Sequence, residues 1–304
     1  MSDCEQGLVR LIPPVNITDT NLLASNVPET EYPPYNAGAT YANGALVIAA
    51  HRIYQNNSGG NLTGVYPPDN LTQWEDVAPS NRWAMFDLYS STVTENPDSI
   101  VVDIKTGVAV NSIALINING AYVDVTATHP VNGVIFTKRY YLYRSDGIRG
   151  WYSYFFTKRS PKNKLTELNI PAFRNVTVRI EIHAPGGMAR CGSLLIGRYI
   201  NLGQLQWGYS SEINDYSKKQ IDENGYVNIQ RGNYSFRPEF SMLVNDGDLD
   251  SIGRTMARYR STPAVWIAGT RHEIMTVFGF YMSFRPVVNH GIFSECSLQI
   301  EGFI

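Results

Sequence analysis

The sequence predicts a mainly β protein made of antiparallel units, with one helix near its end. Three observations predict this class. Apolar and polar residues alternate with a period of two over many short runs. Gly, Asn and Pro fall between those runs, where turns are needed. A helical period is sustained only once, in residues 247–261, "GDLDSIGRTMARYRS".

Residues 1–33 read as an extended arm: "LIPPVNITDTNLLASNVPETEYPP" repeats proline and keeps no period, so it is expected to lie on a neighbour. "NLLASNV" within it suits one short turn of helix. Residues 34–78 read as a compact module of short strands around a glycine-marked hairpin, "YNAGATYANGALVIAAHRIYQ". From 79 to 200 the alternation is clearest. Ile100, Val102 and Ile104 oppose Val101, Asp103 and Lys105, and Val123 and Val125 oppose Asp124 and Thr126. Val178, Ile180 and Ile182 oppose Arg179, Glu181 and His183. Repeated alternation of this kind implies an antiparallel sandwich. Residues 201–304 read as a β-rich unit holding the single helix. Asp248 or Asp250 can cap that helix, Leu249, Ile252, Met256 and Tyr259 share one face, and Arg258 and Arg260 suit its C-terminal end.

Composition limits the function classes. The chain has 304 residues, 43% hydrophobic and 17% charged, with a net charge of −2. That supports a packed core and gives no bulk field toward nucleic acid or an anionic membrane. The run "ALVIAA" at 45–50 is too short to span a bilayer, so no membrane insertion is expected. "MSDCEQGLVRLIPP" has neither secretory nor transit character, so folding in a cytoplasm is expected. Cys4, Cys191 and Cys296 have no redox or zinc spacing and read as idle thiols. The sequons at Asn16, Asn56, Asn61, Asn70, Asn175 and Asn233 read as chance in an Asn-rich chain.

No catalytic, metal or cofactor constellation stands out. His51, His129, His183, His272 and His290 stand singly, and "RHEIM" has no second His four residues on. "NDGDLD" at 245–250 lacks the glycine and closing Glu of a calcium loop and sits where a helix needs caps. A glycosidase needs paired carboxylates, and nothing in the sequence pairs Glu181, Glu212, Asp215 or Glu239. The expectation is a protein without enzymatic activity and without a cofactor.

Residues Tyr35, Tyr41, Gly44, Val47, Tyr54, Pro68 and Trp74 follow the order and spacing of small chitin-binding modules of carbohydrate-binding family 5/12. The stretch resembles that family, though Tyr35 stands where it usually has Trp and Ala45 where it usually has Asp. Tyr41, Val47 and Tyr54 can form a tiny core, leaving Tyr35 or Trp74 at the surface. The resemblance makes Tyr35, Tyr54 and Trp74 the candidate carbohydrate contacts, through the flat C–H face a pyranose presents to an aromatic ring.

Ala84, Phe86, Asp87, Thr92, Ile100, Val102, Asp103, Ile113 and Leu115 resemble the opening of the galactose-binding-like, discoidin-type jelly roll. That resemblance implies ligand loops at one end of the sandwich and allows calcium near Asp87, where a turn cap is the simpler reading. "YYLYRSDGIRGWYSYFF" carries Tyr140, Tyr141, Tyr143, Trp151, Tyr152, Tyr154, Phe155 and Phe156, and alternation places half of them outward. The order of segments over nearly the whole chain resembles tail proteins of tailed bacteriophages. It implies a tail-tip or baseplate component in the virion, assembled in the host cytoplasm. Its implied partners are other tail proteins, further copies of itself and a bacterial surface glycan. A polysaccharide depolymerase with an appended binding module is the alternative.

Overall fold

The computed structural model describes residues 7–89, 91–144, 151–152, 161–221, 226–269, 273–288 and 291–303. Cys4, Tyr154, Phe155, Phe156, His272 and His290 lie outside them. In chain order the first strands are β1 (Leu8–Ile12), β2 (Leu22–Ser25), β3 (Thr40–Tyr41), β4 (Leu46–Ala49), β5 (Arg52–Asn56), β6 (Leu62–Thr63) and β7 (Trp74–Pro79). After the short helix α1 (Asn81–Ala84) come β8 (Thr94–Ile104), β9 (Ser112–Asn119), β10 (Tyr122–His129), β11 (Gly133–Tyr141), β12 (Lys164–Glu167) and β13 (Thr177–Gly197). Then follow β14 (Ile200–Leu205), β15 (Ser210–Asp215), β16 (Lys218–Ile221), β17 (Val227–Gln230) and β18 (Tyr234–Asn245). Helix α2 (Asp246–Arg258), β19 (Ala264–Ala268), β20 (Thr276–Val287) and β21 (Phe293–Gly302) close the chain. The protein is mainly β, and its strand pairings within sheets are antiparallel. It divides into two compact units: residues 1–15 with 195–304, and residues 16–194.

The first unit is a closed barrel. Its strands run in the order β14–β1–β19–β20–β21–β18, and β14 pairs back onto β18 through Gln204↔Leu243 and Leu205↔Met242. Closure corrects one expectation. Residues 8–12 are no arm laid on a neighbour: Val9 and Leu11 alternate inward, and β1 is paired on both sides, by β14 and β19. Phe240, Met242 and Val244 of β18 meet Trp266, Val277, Leu298 and Ile300 inside. The Trp266 indole donates to the Gly279 carbonyl at 3.0 Å, so its polar edge is satisfied in the core. A Cβ on Gly203 would lie 2.7 Å from the Leu243 carbonyl, so the β14–β18 closure needs glycine there.

Helix α2 seals this core with Ile252 and Met256, and Leu249 and Tyr259 pack beside them, as its period predicts. Its cap differs from expectation. Asn245 is the N-cap residue, and Asp246 and Asp248 lie in the first turn, where they complement the helix dipole. At the other end Tyr281 donates its hydroxyl to the Met256 carbonyl at 2.8 Å.

The second unit holds a seven-stranded antiparallel sheet, in which the path β11–β10–β13–β8–β2 is joined by β9, paired with β12 and β13. The predicted alternation is observed: Ile100, Val102, Ile104, Val123, Val125, Val178, Ile180 and Ile182 are all buried. Their neighbours form a polar lattice outside, in which Arg139 grips Asp124 with two bonds of 2.7 Å. A register shift between Ala184 and Met188 lets the long β13 bend. "NLLASNV" is no helical turn. Leu22–Ser25 is a strand added to the edge of β8. Asp87 accepts from the Thr92 hydroxyl at 2.7 Å and the Tyr89 amide at 3.1 Å, which makes it a turn cap.

The chain leaves the barrel unit after Val15 and rejoins it at Leu195, and the Val15 amide donates to the Ile196 carbonyl at 3.3 Å. Residues 16–194 are therefore an insertion between two adjacent points of the barrel.

Candidate functional site: an aromatic cluster on a small β module

Within the second unit, β4, β5 and β7 form a three-stranded sheet, and β3 pairs with β6. Val47, Ala49, Tyr54, Leu62 and Trp74 fill the core between them, with Tyr35, Tyr41 and Val65 packed against it. This places the three candidate contacts differently from one another. Trp74 is 1% exposed and its indole donates to the Val65 carbonyl at 3.1 Å. No face of that ring is open to a sugar, which corrects the expectation that it stands at the surface. Tyr54 is likewise in the core, and burial, with Asp76 nearby, pushes its phenol above the ordinary value. Of the three, only Tyr35 is half-exposed.

Tyr35 belongs to an aromatic cluster. Its ring stacks on Tyr41 with centroids 5.7 Å apart, and meets Trp74 edge-on at 6.4 Å. Tyr66 meets the Tyr35 ring edge-on at 5.5 Å and is 41% exposed. The Tyr41 hydroxyl is engaged by the Asn36 backbone: it accepts the amide at 2.7 Å and donates to the carbonyl at 3.3 Å. The cluster thus has a locked floor, Trp74, two half-buried rings, Tyr35 and Tyr41, and one ring at the rim, Tyr66, that reaches solvent. Sequence reading missed Tyr66. The signal was present in "VYPPDN", since the residue before a proline pair is held extended and its side chain stands off the following turn.

The hairpin turn joining β4 to β5 carries a second feature. Its central residues are Ala50 and His51, with φ of 46° and 66°, and not the expected glycine. Such a turn favours Asn-Gly, so this pair is strained. His51 is held by Asp19 at 2.9 Å and Glu29 at 3.0 Å, and its ring lies over Trp83 at 4.6 Å. Glu29 is bound in turn by Arg82 at 3.2 Å and by the Ser80 hydroxyl. Burial works against the imidazolium, but the bonds to Glu29 and Asp19 outweigh it and raise the pKa of His51. The turn therefore ties residues 19–29 to the module by charge.

On the seven-stranded sheet, Tyr122 stacks on His183 at 4.6 Å and takes the Arg139 guanidinium over its ring at 4.3 Å. Tyr141, Tyr143, Trp151 and Tyr152 are exposed. Glu167 is buried but accepts from Tyr140, from Lys138 at 2.9 Å and from two backbone amides. Burial opposes its charge, and these donors together bring the pKa of the carboxyl below the usual value. It is a satisfied structural group. The Cys191 thiol is pushed up to about 12 by burial, which leaves it inert at neutral pH. Among the described residues, no three His, Cys, Asp or Glu side chains converge as metal ligands would.

No protein-family model matches this chain, and no curated protein matches it.

Proposed function

We propose that the protein is a structural component of a bacteriophage tail tip or baseplate that holds host surface carbohydrate through exposed aromatic rings, without converting it. The observation that carries the binding part is the rim of the module. Tyr66 is open to solvent and braced edge-on by Tyr35, over a floor locked by Trp74. A ring that is held in place loses little freedom when a pyranose stacks on it. The phage assignment rests on the resemblance in segment order, and the β-built, strand-dominated units suit a scaffold. One such contact is weak, and repeated copies raise its avidity.

The test is a glycan array and calorimetry with bacterial surface and chitin-like oligosaccharides. Tyr66→Ala is expected to weaken retention at least about tenfold, given that losing a central aromatic contact typically costs on the order of 2 kcal/mol. Folding should be unchanged. Trp74→Ala is expected to act instead through unfolding of the module. A blank array at high protein concentration contradicts carbohydrate binding, and shortening of the polysaccharide during incubation points to the depolymerase alternative.

A further inference from the structure

Strand β15 lies at the edge of the barrel sheet, paired with β18 from Ser210↔Glu239 to Asp215↔Tyr234. Even-numbered residues of β18 face the core. Phe240 and Met242 are sealed in it, Phe236 is half-buried, and Tyr234, next on that stripe, is exposed. Ile213, directly opposite Phe236, is 61% exposed. The stripe built for a core thus continues into solvent.

Beyond it, β16 and β17 form a two-stranded ribbon whose described residues are exposed. Register pairs Ile229 with Lys219 and Val227 with position 221, so Val227, Ile229 and Lys219 share one face. A lone two-stranded ribbon is marginal in water. This one leaves Val227 and Ile229 about 60% open. It is a surface made to be covered.

A groove of about 480 Å³ runs between β14, β18 and α2, lined in equal part by apolar residues, among them Leu8, Ile200 and Phe293, and by polar ones, among them Gln204, Asn245 and Thr255. Its rim is acidic. Asp248 lines it, Asp246 precedes it in the first helical turn, and Glu295 stands directly opposite Leu243. No ion pair with these three carboxylates occurs among the described residues. The groove lies at the Asn245 end of β18 and the ribbon beyond its Tyr234 end. A 12-residue strand separates the two surfaces by roughly 40 Å. One copy cannot bring them together; two copies can.

The geometry points to a head-to-tail contact in which the β16–β17 ribbon of one copy docks in the β14–α2 groove of a second copy. Val227 and Ile229 cover the apolar lining, and Lys219 meets Asp248 or Glu295 on the rim. Such a contact is heterologous, so it builds a ring or a filament and not a closed pair. It deepens the assembly part of the proposed function, and glycan binding does not enter it.

Sedimentation of the full chain over a range of concentrations tests the contact. Wild type is expected to associate. Val227→Asp with Ile229→Asp is expected to weaken association more than about tenfold, as loss of buried interface anchors does. Because both sites are exposed, thermal unfolding of the isolated chain should hardly move. Lys219→Glu and Asp248→Lys should each weaken association about two- to fivefold, as rim charges do, and their combination should recover part of the loss. A second readout is independent of these variants. Ile229→Cys and Phe293→Cys, on differently tagged copies, should be joined by a short bis-maleimide only when mixed. A monomer at every concentration overturns the contact, as does Ile229→Cys joining only to itself. If that monomer still binds glycan through Tyr66, the carbohydrate reading stands without it.

Discussion

Trp74 and Tyr66 sit eight residues apart in sequence, and the fold gives them opposite tasks. The indole N–H decides the first: it reaches the Val65 carbonyl, so burying Trp74 leaves no polar edge unpaired. Tyr66, its backbone extended before a proline pair, is 41% exposed. The resemblance marked Tyr35, Tyr54 and Trp74, because motif order shows that aromatics gather but not which face each one turns. His51 carries a prediction at this scale. Its pKa is raised in the folded chain, so folding gains from its proton below the ordinary value of 6.5 and loses that gain as pH rises through the folded value. The facing groups are Asp19 and Glu29, with Arg82 bound to Glu29 and the Trp83 ring beneath. The urea midpoint of His51→Gln should fall below wild type at about pH 5.5 and converge on it toward about pH 8. Equal gaps at both values contradict the charged tie.

Among elements, the strands with strict alternation were legible and the ones with mixed burial were not. Residues 100–104 of β8, 122–127 of β10 and 177–182 of β13 bury every second residue, which the sequence displays directly. β1 is buried at four successive positions, so it shows no period, and prolines follow it. Only pairing on both sides makes it a strand. The α2 face was readable from Leu249, Ile252, Met256 and Tyr259, while its cap was not, because Asn245, Asp246, Asp248 and Asp250 all suit a helix start. Close approach between β20 and β21 gives a prediction here. A Cβ at Gly279 would collide with the Glu301 carbonyl on the neighbouring strand. Gly279→Ala should lower stability by about 1–3 kcal/mol in denaturant unfolding. A change within about 0.5 kcal/mol would mean that the strands separate freely there.

At the scale of the whole molecule, the chain starts in the barrel, leaves it for residues 16–194, and returns. That nesting was not legible, since it brings together Val15 and Ile196, just over 180 positions apart. The same distance hides the barrel closure and the groove. What the alternation did convey was the class, a packed β protein. Among the large apolar residues left exposed, Tyr66 on the module and Val227 and Ile229 on the ribbon are the ones proposed to hold a glycan and a neighbouring copy.

A density map of the phage particle in which this chain is proposed to reside tests that assignment most directly. The account predicts several copies around the tail axis, each ribbon seated in the next groove, with Tyr66 facing outward. A particle without the chain, or copies whose ribbons touch nothing while Tyr66 is sealed against another protein, contradicts it.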